Sequence, residues 1–222
     1  MNWKLYVVFL LAVLQYTIVQ GQEDIKLGFV DDESIIQIML IRHGEPDLKK
    51  DGWVGRRGAE EYFRDYDSVN IIIPEFLPIH LKPGEVKCVY TSTLPRSSHT
   101  AMVLFGEGFD YCPMYMFREF ERRVFNFISL RLPLKLWTTI SRGLWIIGIN
   151  QRDIESFRKA KKRAREGAEF LDERAMEDEK VILVAHGFLN RYLKKYLVDM
   201  GYELKVDGGS GYLSSSILVK KK

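Results

Sequence analysis

Short apolar runs alternate with longer amphipathic stretches along this chain. The apolar runs have the length of buried strands and lie at positions 34–41, 86–90, 111–116, 181–185 and 213–219. Between them, apolar residues recur at helical spacing over positions 94–105, 153–179 and 189–200. Strands that alternate with helices predict an α/β fold, a three-layer α/β/α sandwich with a mostly parallel central sheet.

One segment, about 117–150, interrupts this alternation. It is rich in Phe, Trp and Leu but is broken by Arg and Lys, so it is too polar to cross a membrane. Active sites in mostly parallel sheets form at the carboxyl ends of the strands. We therefore expect a helical insertion that lies over the active site, and ordinary core packing is the alternative role for its Trp137 and Trp145.

The first 21 residues differ in character from the rest of the chain. Lys4 carries their only charge, positions 5–19 are almost wholly apolar, and Gly21 closes the segment with a small residue. This pattern predicts a signal peptide over 1–21 and an exported domain over 22–222, with no stable membrane insertion after cleavage. The alternative is an N-terminal membrane anchor, although the apolar run, at ~1.5 Å per residue, is shorter than a hydrocarbon core of ~30 Å.

The composition is that of one folded domain. Of the 222 residues 46% are hydrophobic, and 33 basic side chains against 30 acidic ones leave a formal net charge of +3. Such a small and dispersed charge argues against a nucleic-acid partner. Export would place Cys88 and Cys112 in an oxidising compartment, where they would pair if their strands are neighbours; two buried free thiols are the alternative.

Two of the four His residues lie where a predicted strand ends, and each is followed by Gly. His43 follows the run at 34–41, and His186 follows the run at 181–185. A strand end brings each imidazole to the functional edge of the sheet, and the Gly allows a ligand to approach the backbone closely. A single His in this position is commonly an ordinary rim residue, but two in the same context indicate a site.

A third strand end delivers an arginine. Arg96 lies in the first turn of the predicted helix 94–105, where the partial positive charge of the helix N-terminus disfavours a cation. A bound anion would relieve this conflict. We therefore expect Arg96 and Arg42, which precedes His43, to hold a phosphate through bidentate hydrogen bonds that Lys does not reproduce.

These residues belong to three motifs of a known family. In order and spacing, Arg42-His43-Gly44-Glu45-Pro46, then Ser92-x-Leu94-x-Arg96 with Thr100-Ala101, and then Ala185-His186-Gly187 resemble the histidine phosphatase superfamily, also called the phosphoglycerate mutase-like fold. The resemblance spans about 36–219.

The resemblance implies a role for each motif residue. His43 would be the nucleophile and form a phosphohistidine that water hydrolyses, while Arg42, Arg96 and His186 would line the phosphate pocket. It also implies a small phosphorylated substrate and neither metal nor organic cofactor. Two guanidiniums and an imidazolium would stabilise the charge of the transferring phosphoryl group.

The residue after the second His indicates the branch of the family. Acid phosphatases and phytases carry Asp there, whereas this chain has Gly187 and so resembles the other branch, which supplies a Glu as the proton donor. Glu119 is the candidate general acid and Glu121 the reserve. The alternative for either is a surface carboxylate paired with a nearby Arg.

The leading hypothesis is an exported, metal-independent phosphatase that hydrolyses phosphate monoesters. A second hypothesis is phosphoglycerate mutase-like phosphoryl transfer, although Pro46 and 47–50 stand where the mutases usually carry Ser and Asn. A third is a catalytically idle protein that binds a phosphorylated ligand. Arg118, Arg122, Arg123 and Arg142 indicate an anionic substrate body without singling out a substrate.

Overall fold

The computed structural model describes residues 28–49, 52–125, 130–149 and 152–222. The predicted signal peptide at 1–21 lies outside the described residues. The strands are β1 Ile35–Arg42, β2 Trp53–Val54, β3 Val89–Ser92, β4 Tyr111–Met114, β5 Leu132–Pro133, β6 Lys180–Ala185, β7 Glu203–Asp207 and β8 Ser215–Lys221. The helices are α1 Arg56–Ser68, α2 Pro95–Phe105, α3 Leu134–Ile146, α4 Phe157–Asp178 and α5 Gly187–Asp199.

The central sheet has six strands in the order β4-β3-β6-β1-β8-β7. Strands β4, β3, β6 and β1 run parallel, whereas β8 is antiparallel to both of its neighbours. A separate two-stranded sheet pairs β2 with β5. The carboxyl ends of β1, β3 and β6 therefore meet at one edge of the sheet, which is where the three motifs begin.

Helices cover both faces of this sheet. Along β1, Ile36, Ile38 and Leu40 pack in one apolar cluster with α4 and α5, while Met39 and Ile41 pack in a second cluster with α2. Successive side chains of a strand point to opposite faces, so one buried strand supplies both cores. The predicted three-layer α/β/α sandwich with a mostly parallel sheet is confirmed.

Some elements differ from the sequence predictions. Helix α1 was not predicted, because its face carries few apolar residues and only Ala59 and Phe63 are buried. The edge strand β7 was also missed, since none of its residues is buried. The run at 86–90 predicted a strand that in the structure begins only at Val89.

The described part of the predicted insertion at about 117–150 contains the helix α3. The chain is extended after the short 3₁₀ turn Tyr115–Phe117, and then forms β5 and α3. Here Phe125 stacks on Trp137 with ring centroids 4.6 Å apart, and both pack with α1 in a third apolar cluster. Trp137 and Trp145 are fully buried, so both take the core-packing role.

Cys88 and Cys112 form a disulfide in the structure. Cys112 lies in β4, and Cys88 immediately precedes β3. The two strands pair with each other in the sheet. Their Cα atoms are 6.2 Å apart, within the range of protein disulfides. The bond therefore links the strand that leads to Arg96 with the edge strand that leads to Glu119.

Removal of this disulfide is expected to lower the free energy of unfolding by about 3 kcal/mol. The two residues are separated by 24 positions, and the bond restricts the unfolded chain over that loop. Urea denaturation of the Cys88→Ser/Cys112→Ser variant measures the loss. Wild-type protein denatured with a reductant serves as the control and should match the variant, whereas equal stability of variant and oxidised wild type would contradict the expectation.

No helix within the described residues is long and apolar enough to cross a membrane.

Candidate active site

A cavity of about 560 Å³ opens at the carboxyl edge of the sheet. Its walls come from the end of β1, from α1, from the predicted insertion, from the start of α5 and from the turn between β7 and β8. The lining includes Arg42, His43, Tyr66, Glu119, Arg122 and Asn190. Four of the five segments are far apart in sequence from β1, so the fold brings these side chains together.

His43 lies at the base of this cavity and is only 2% exposed. Its Nδ1 lies 2.7 Å from the carbonyl oxygen of Gly44. A carbonyl oxygen only accepts hydrogen bonds, so Nδ1 carries the proton and Nε2 of the neutral ring is unprotonated. The backbone therefore sets the tautomer that a nucleophilic Nε2 requires.

Buried hydroxyl and amide groups connect the three strand ends. The backbone N–H of His43 donates to the Ala185 carbonyl at 2.9 Å, which joins the ends of β1 and β6. Thr100 Oγ1 accepts from the N–H of Gly44 at 2.9 Å and donates to the Arg96 carbonyl at 2.5 Å. These bonds hold the first motif against the second, and explain what Thr100 does in the motif.

Arg42 approaches the first turn of α5. A Cβ added at Gly187 would lie 3.2 Å from Cδ and Nε of Arg42, which is a tight contact. Gly at this position therefore permits the close approach of Arg42. The guanidinium stacks 4.2 Å from the centroid of the Tyr212 ring, and its Nη1 donates to the Ser210 carbonyl. The sequence predicts that a ligand approaches Gly187 closely. In the structure the Arg42 side chain also lies against this residue.

Arg96 is 1% exposed, and two oxygen atoms of α1 hold its guanidinium. Its Nη1 donates to the Tyr66 carbonyl at 2.7 Å and to Asp67 Oδ1 at 3.1 Å, and its Cζ lies 4.5 Å from the Tyr66 ring centroid. Asp67 thus supplies part of the negative charge that a cation in the first turn of a helix requires.

His186 is fully buried, with its ring centroid 5.1 Å from that of His43. Burial, and then the charges of Arg96, His43 and Arg42, hold the pKa of His186 well below the ordinary value of 6.5. The imidazolium expected from the sequence is therefore a neutral imidazole in the protein without ligand. A bound phosphate dianion would favour its protonation, since an opposite charge stabilises the charged form.

Four buried nitrogen atoms around His43 have no hydrogen-bond partner within the described part of the chain. They are Arg42 Nε, Arg96 Nε and both ring nitrogens of His186. Buried polar atoms without partners are rare and costly, so a cluster of them signals a ligand. Because the arginine nitrogens only donate, the ligand that fits them is an anion.

Glu119 lies in the cavity wall at the N-terminus of α5. Its Oε1 accepts from the backbone N–H groups of Phe120 at 2.9 Å and Leu189 at 3.1 Å, and its Oε2 accepts from that of Phe188 at 3.3 Å. A carboxylate is well stabilised at the N-terminus of a helix. Glu119 is thus placed beside His186, the residue that precedes the helix.

Glu121 lies apart from Glu119 and is not among the residues that line the cavity. Its Oε2 accepts from the Glu155 backbone N–H at 2.6 Å. The bond ties the extended segment to the residues before α4. The geometry therefore favours Glu119 over the reserve candidate.

The segment before Glu119 is anchored by α4. Arg163 donates to the carbonyl oxygens of Met116 and Arg118, both at 2.7 Å, and pairs with Glu155 at 2.7 Å. Arg163 is mostly buried, so these bonds are shielded from water. They fix the backbone on both sides of Phe117 and thereby the position of Glu119.

The four arginines of this region separate into two groups. Arg122 and Arg142 line the cavity, whereas Arg118 and Arg123 do not. Arg123 donates instead to the Arg152 carbonyl and pairs with Asp153.

Sequence reasoning missed Tyr66 and Tyr212, which flank the catalytic imidazole. Their ring centroids lie 6.3 and 5.7 Å from that of His43, and each ring stacks against one phosphate-pocket arginine. Burial raises the pKa of Tyr66, so its hydroxyl stays protonated at neutral pH. Neither tyrosine is part of a local motif, so only the tertiary fold reveals them.

The neutral state of His186 predicts a pH-dependent loss of stability. The unfolded chain takes up a proton on this residue near pH 6.5, whereas the folded protein does not, so the contribution is complete above that pH and is lost as the pH falls. Between pH 6.5 and 5 we expect the free energy of unfolding to fall by up to about 1.4 kcal/mol per pH unit because of this residue. Urea denaturation of wild type and His186→Asn across this range measures the difference.

The His186→Asn variant lacks the titrating group and should lose less stability over the same interval. Added inorganic phosphate should flatten the wild-type profile, because a bound anion favours protonated His186. Parallel profiles for wild type and variant would contradict the expectation.

Within the described residues, no three His, Cys, Asp or Glu side chains come together in a way that would hold a metal ion.

Comparisons with solved structures return distant phosphatases. A mycobacterial glucosyl-3-phosphoglycerate phosphatase is 20% identical, with a TM-score of 0.47, over 83% of this chain and 90% of that chain. A phosphoserine phosphatase mutant from Entamoeba histolytica is 15% identical, with a TM-score of 0.45, over 82% and 89%. An alpha-ribazole phosphatase from Shigella flexneri is 19% identical, with a TM-score of 0.44, over 73% and 80%. These similarities are too distant to indicate a substrate.

No curated protein matches the chain. A family model does: that of the histidine phosphatase superfamily (branch 1) matches residues 75–219, which is more than half of the chain. The matched range contains Arg96, Glu119 and His186 and begins after Arg42 and His43, which the fold places against it through the bond to Ala185. The chain therefore belongs to branch 1 of the histidine phosphatase superfamily.

Proposed function

We propose that this chain is an exported phosphatase that hydrolyses phosphate monoesters through a phosphohistidine at His43, with Glu119 as the general acid and no metal. One observation carries the proposal. His43, whose Nδ1 is engaged by the Gly44 carbonyl, lies in the cavity with Arg42, and buried nitrogen atoms of Arg42, Arg96 and His186 have no hydrogen-bond partner within the described residues. A nucleophile among anion-binding donors is the arrangement that phosphoryl transfer requires.

In the first step His43 Nε2 attacks phosphorus. The N–P bond forms as the P–O ester bond breaks, and the proton of the Glu119 carboxyl passes to the leaving oxygen, so an alcohol departs. In the second step the Glu119 carboxylate accepts a proton from water as the water oxygen attacks phosphorus. The N–P bond breaks, inorganic phosphate leaves, and both residues return to their starting states.

The remaining pocket residues stabilise the transferring group. Arg42 and Arg96 each present a buried Nε–H, and stacking on Tyr212 and Tyr66 holds the two guanidiniums in place before substrate binds. Preorganised donors of this kind stabilise developing charge without reorganisation. His186 becomes a further cation once the dianion binds. Together these groups supply the positive charge that a metal supplies in other phosphatases.

Glu119 needs a proton for the first step. In the structure without ligand three backbone N–H groups donate to its carboxylate. The second step uses the carboxylate itself, which these N–H groups hold at the start of α5.

The disulfide supports export. Disulfides persist in oxidising compartments and are rare in the cytosol, and the Cys88–Cys112 pair is formed in the structure. The predicted cleavage after about Gly21 would release the domain that carries it. N-terminal sequencing of protein recovered outside the cytoplasm should find the chain beginning near position 22, and recovery of the uncleaved chain in the membrane fraction would favour the anchor.

The proposed activity is tested with 4-nitrophenyl phosphate and purified domain in excess EDTA. We expect turnover with release of inorganic phosphate, undiminished by the chelator. A requirement for added divalent metal would contradict the mechanism. Phosphate passed quantitatively to an added acceptor would favour transfer over hydrolysis, and binding of inorganic phosphate without turnover would favour the idle protein.

A further inference from the structure

We propose that Arg122 forms a second anion-binding position in the catalytic cavity, so that the substrate is a phosphate monoester with a second anionic group about one aromatic ring away from its phosphorus. The inference deepens the proposed function and rests on it. It concerns the part of the cavity that neither phosphate binding nor proton transfer uses.

The Arg122 guanidinium is held by aromatic rings. Its Cζ lies 4.6 Å from the centroid of the Phe63 ring and 4.7 Å from that of the Tyr66 ring. Within the described part of the chain no carboxylate forms an ion pair with it, and no carbonyl oxygen accepts from it. Stacking fixes the plane of the guanidinium and leaves its N–H edge available to a ligand.

The Tyr66 ring contacts both Arg122 and Arg96, one of the residues proposed to bind phosphate. The same ring contacts Arg96, whose Cζ is 4.5 Å from the centroid, and Arg122, whose Cζ is 4.7 Å away. The two guanidiniums are therefore separated at most by these two distances together. Arg122 also lines the cavity that contains Arg42 and His43, so one substrate would contact both positions.

The carboxylates of this region are already engaged. Asp67 pairs with Arg96, and Glu119 accepts from three backbone N–H groups. Neither of them forms an ion pair with Arg122 within the described part of the chain.

Arg142, the other arginine of the predicted insertion that lines the cavity, already donates hydrogen bonds to the backbone. Its Nη1 donates to the carbonyl oxygens of Phe120 at 2.9 Å and Glu121 at 3.1 Å. Burial lowers the pKa of Arg142, the charge of Glu119 opposes this, and the charge of Arg122 acts in the same direction as burial, so the two cations are close enough to repel. An anion at Arg122 would relieve this repulsion.

A carboxylate or a second phosphate fits this position better than a neutral polar group. The planar guanidinium donates two parallel hydrogen bonds to either anion, and such charge-assisted bonds are roughly twice as strong as neutral ones. The wall formed by buried Phe63 and half-buried Tyr66 reduces screening by water. Charge at this position therefore sets substrate choice.

Two esters of equal shape test the inference. In 4-carboxyphenyl phosphate a benzene ring separates phosphorus from the carboxylate, and 4-carbamoylphenyl phosphate replaces the carboxylate by a neutral amide. Both are titrated calorimetrically into the His43→Ala variant, which binds but does not turn over. We expect about tenfold tighter binding of the carboxylate, equivalent to about 1.4 kcal/mol.

The Arg122→Gln substitution in the same background should reduce the ratio of the two affinities to about one. Arg123→Gln is the matched control, because it removes the same charge from the adjacent residue, whose side chain points to Arg152 and Asp153 instead. It should keep the preference. Equal affinities in the parent variant, or a preference that survives Arg122→Gln, would overturn the inference.

The same esters separate this inference from the proposed function. Hydrolysis of both by the wild-type enzyme with equal affinities in the parent variant would leave the phosphatase intact and remove the second position. A charge preference lost in Arg122→Gln, together with no hydrolysis by the wild type, would keep the anion position and remove the proposed reaction.

Discussion

The His43→Ala substitution is expected to lower kcat for 4-nitrophenyl phosphate by about 10⁴-fold or more, because it removes the atom that bonds to phosphorus. The anion-binding groups Arg42, Arg96 and His186 stay in place, so inorganic phosphate should still bind with an affinity within a few-fold of wild type. Steady-state kinetics measures the first quantity, and isothermal titration with phosphate measures the second. The two together separate loss of chemistry from loss of fold.

His80→Ala is the matched control for this substitution. His80 is exposed and does not line the cavity, so its removal should leave kcat within about twofold of wild type, as is usual for surface substitutions. A His43→Ala enzyme that retains a tenth of the wild-type kcat would contradict the role given to His43.

The Glu119→Gln substitution is expected to discriminate between leaving groups. With an alkyl phosphate, whose leaving alkoxide needs a proton, kcat should fall by about 10²- to 10³-fold. With 4-nitrophenyl phosphate, whose leaving group departs without one, the rate of the nitrophenol burst, which precedes the water step, should fall by less than about tenfold. Gln keeps an oxygen for the N–H groups of Phe188 and Leu189, so the start of α5 should remain intact.

The ratio of alkyl-phosphatase to aryl-phosphatase activity provides the readout for the same substitution and for its control. Only Glu119→Gln should lower this ratio. Glu121→Gln is the control, since its carboxylate binds the Glu155 N–H outside the cavity. Full alkyl-phosphatase activity in Glu119→Gln, or an equal loss in Glu121→Gln, would refute the assignment.

The placement of His43, His186 and the neighbouring arginines is predictable from sequence because its cause is local. A strand that ends in a polar residue and a Gly places that residue at the edge of a parallel sheet, and His43 and His186 both follow this rule. Arg96 is conspicuous for a similar reason, as a cation in the first turn of α2.

Other features depend on the tertiary fold and leave no local signal. Tyr66 lies in α1, a helix whose sequence is too polar to predict from apolar periodicity, and its role arises from contacts with Arg96 and Arg122. Asp67 next to it completes the Arg96 site. The pairing of Cys88 with Cys112 is also undetermined by the sequence alone. It depends on β4, which contains Cys112, lying beside β3, which follows Cys88.

The glycines of the two His-Gly pairs have a packing role that the sequence does not reveal. A Cβ at Gly44 would lie 2.7 Å from Ile71 Cδ1, and one at Gly187 would crowd Arg42. Both glycines therefore make room for side chains of the protein itself, a role separate from the expected approach of a ligand.

The measurement that tests the central claim most directly is isolation of the phosphoenzyme. The enzyme is mixed with a ³²P-labelled aryl phosphate, quenched in alkali within one turnover, and digested to locate the label. We predict a phosphohistidine at His43, stable in alkali and labile in acid, and absent from the His43→Ala variant. Turnover without label on His43, or label on a hydroxyl or carboxyl side chain, would contradict the account.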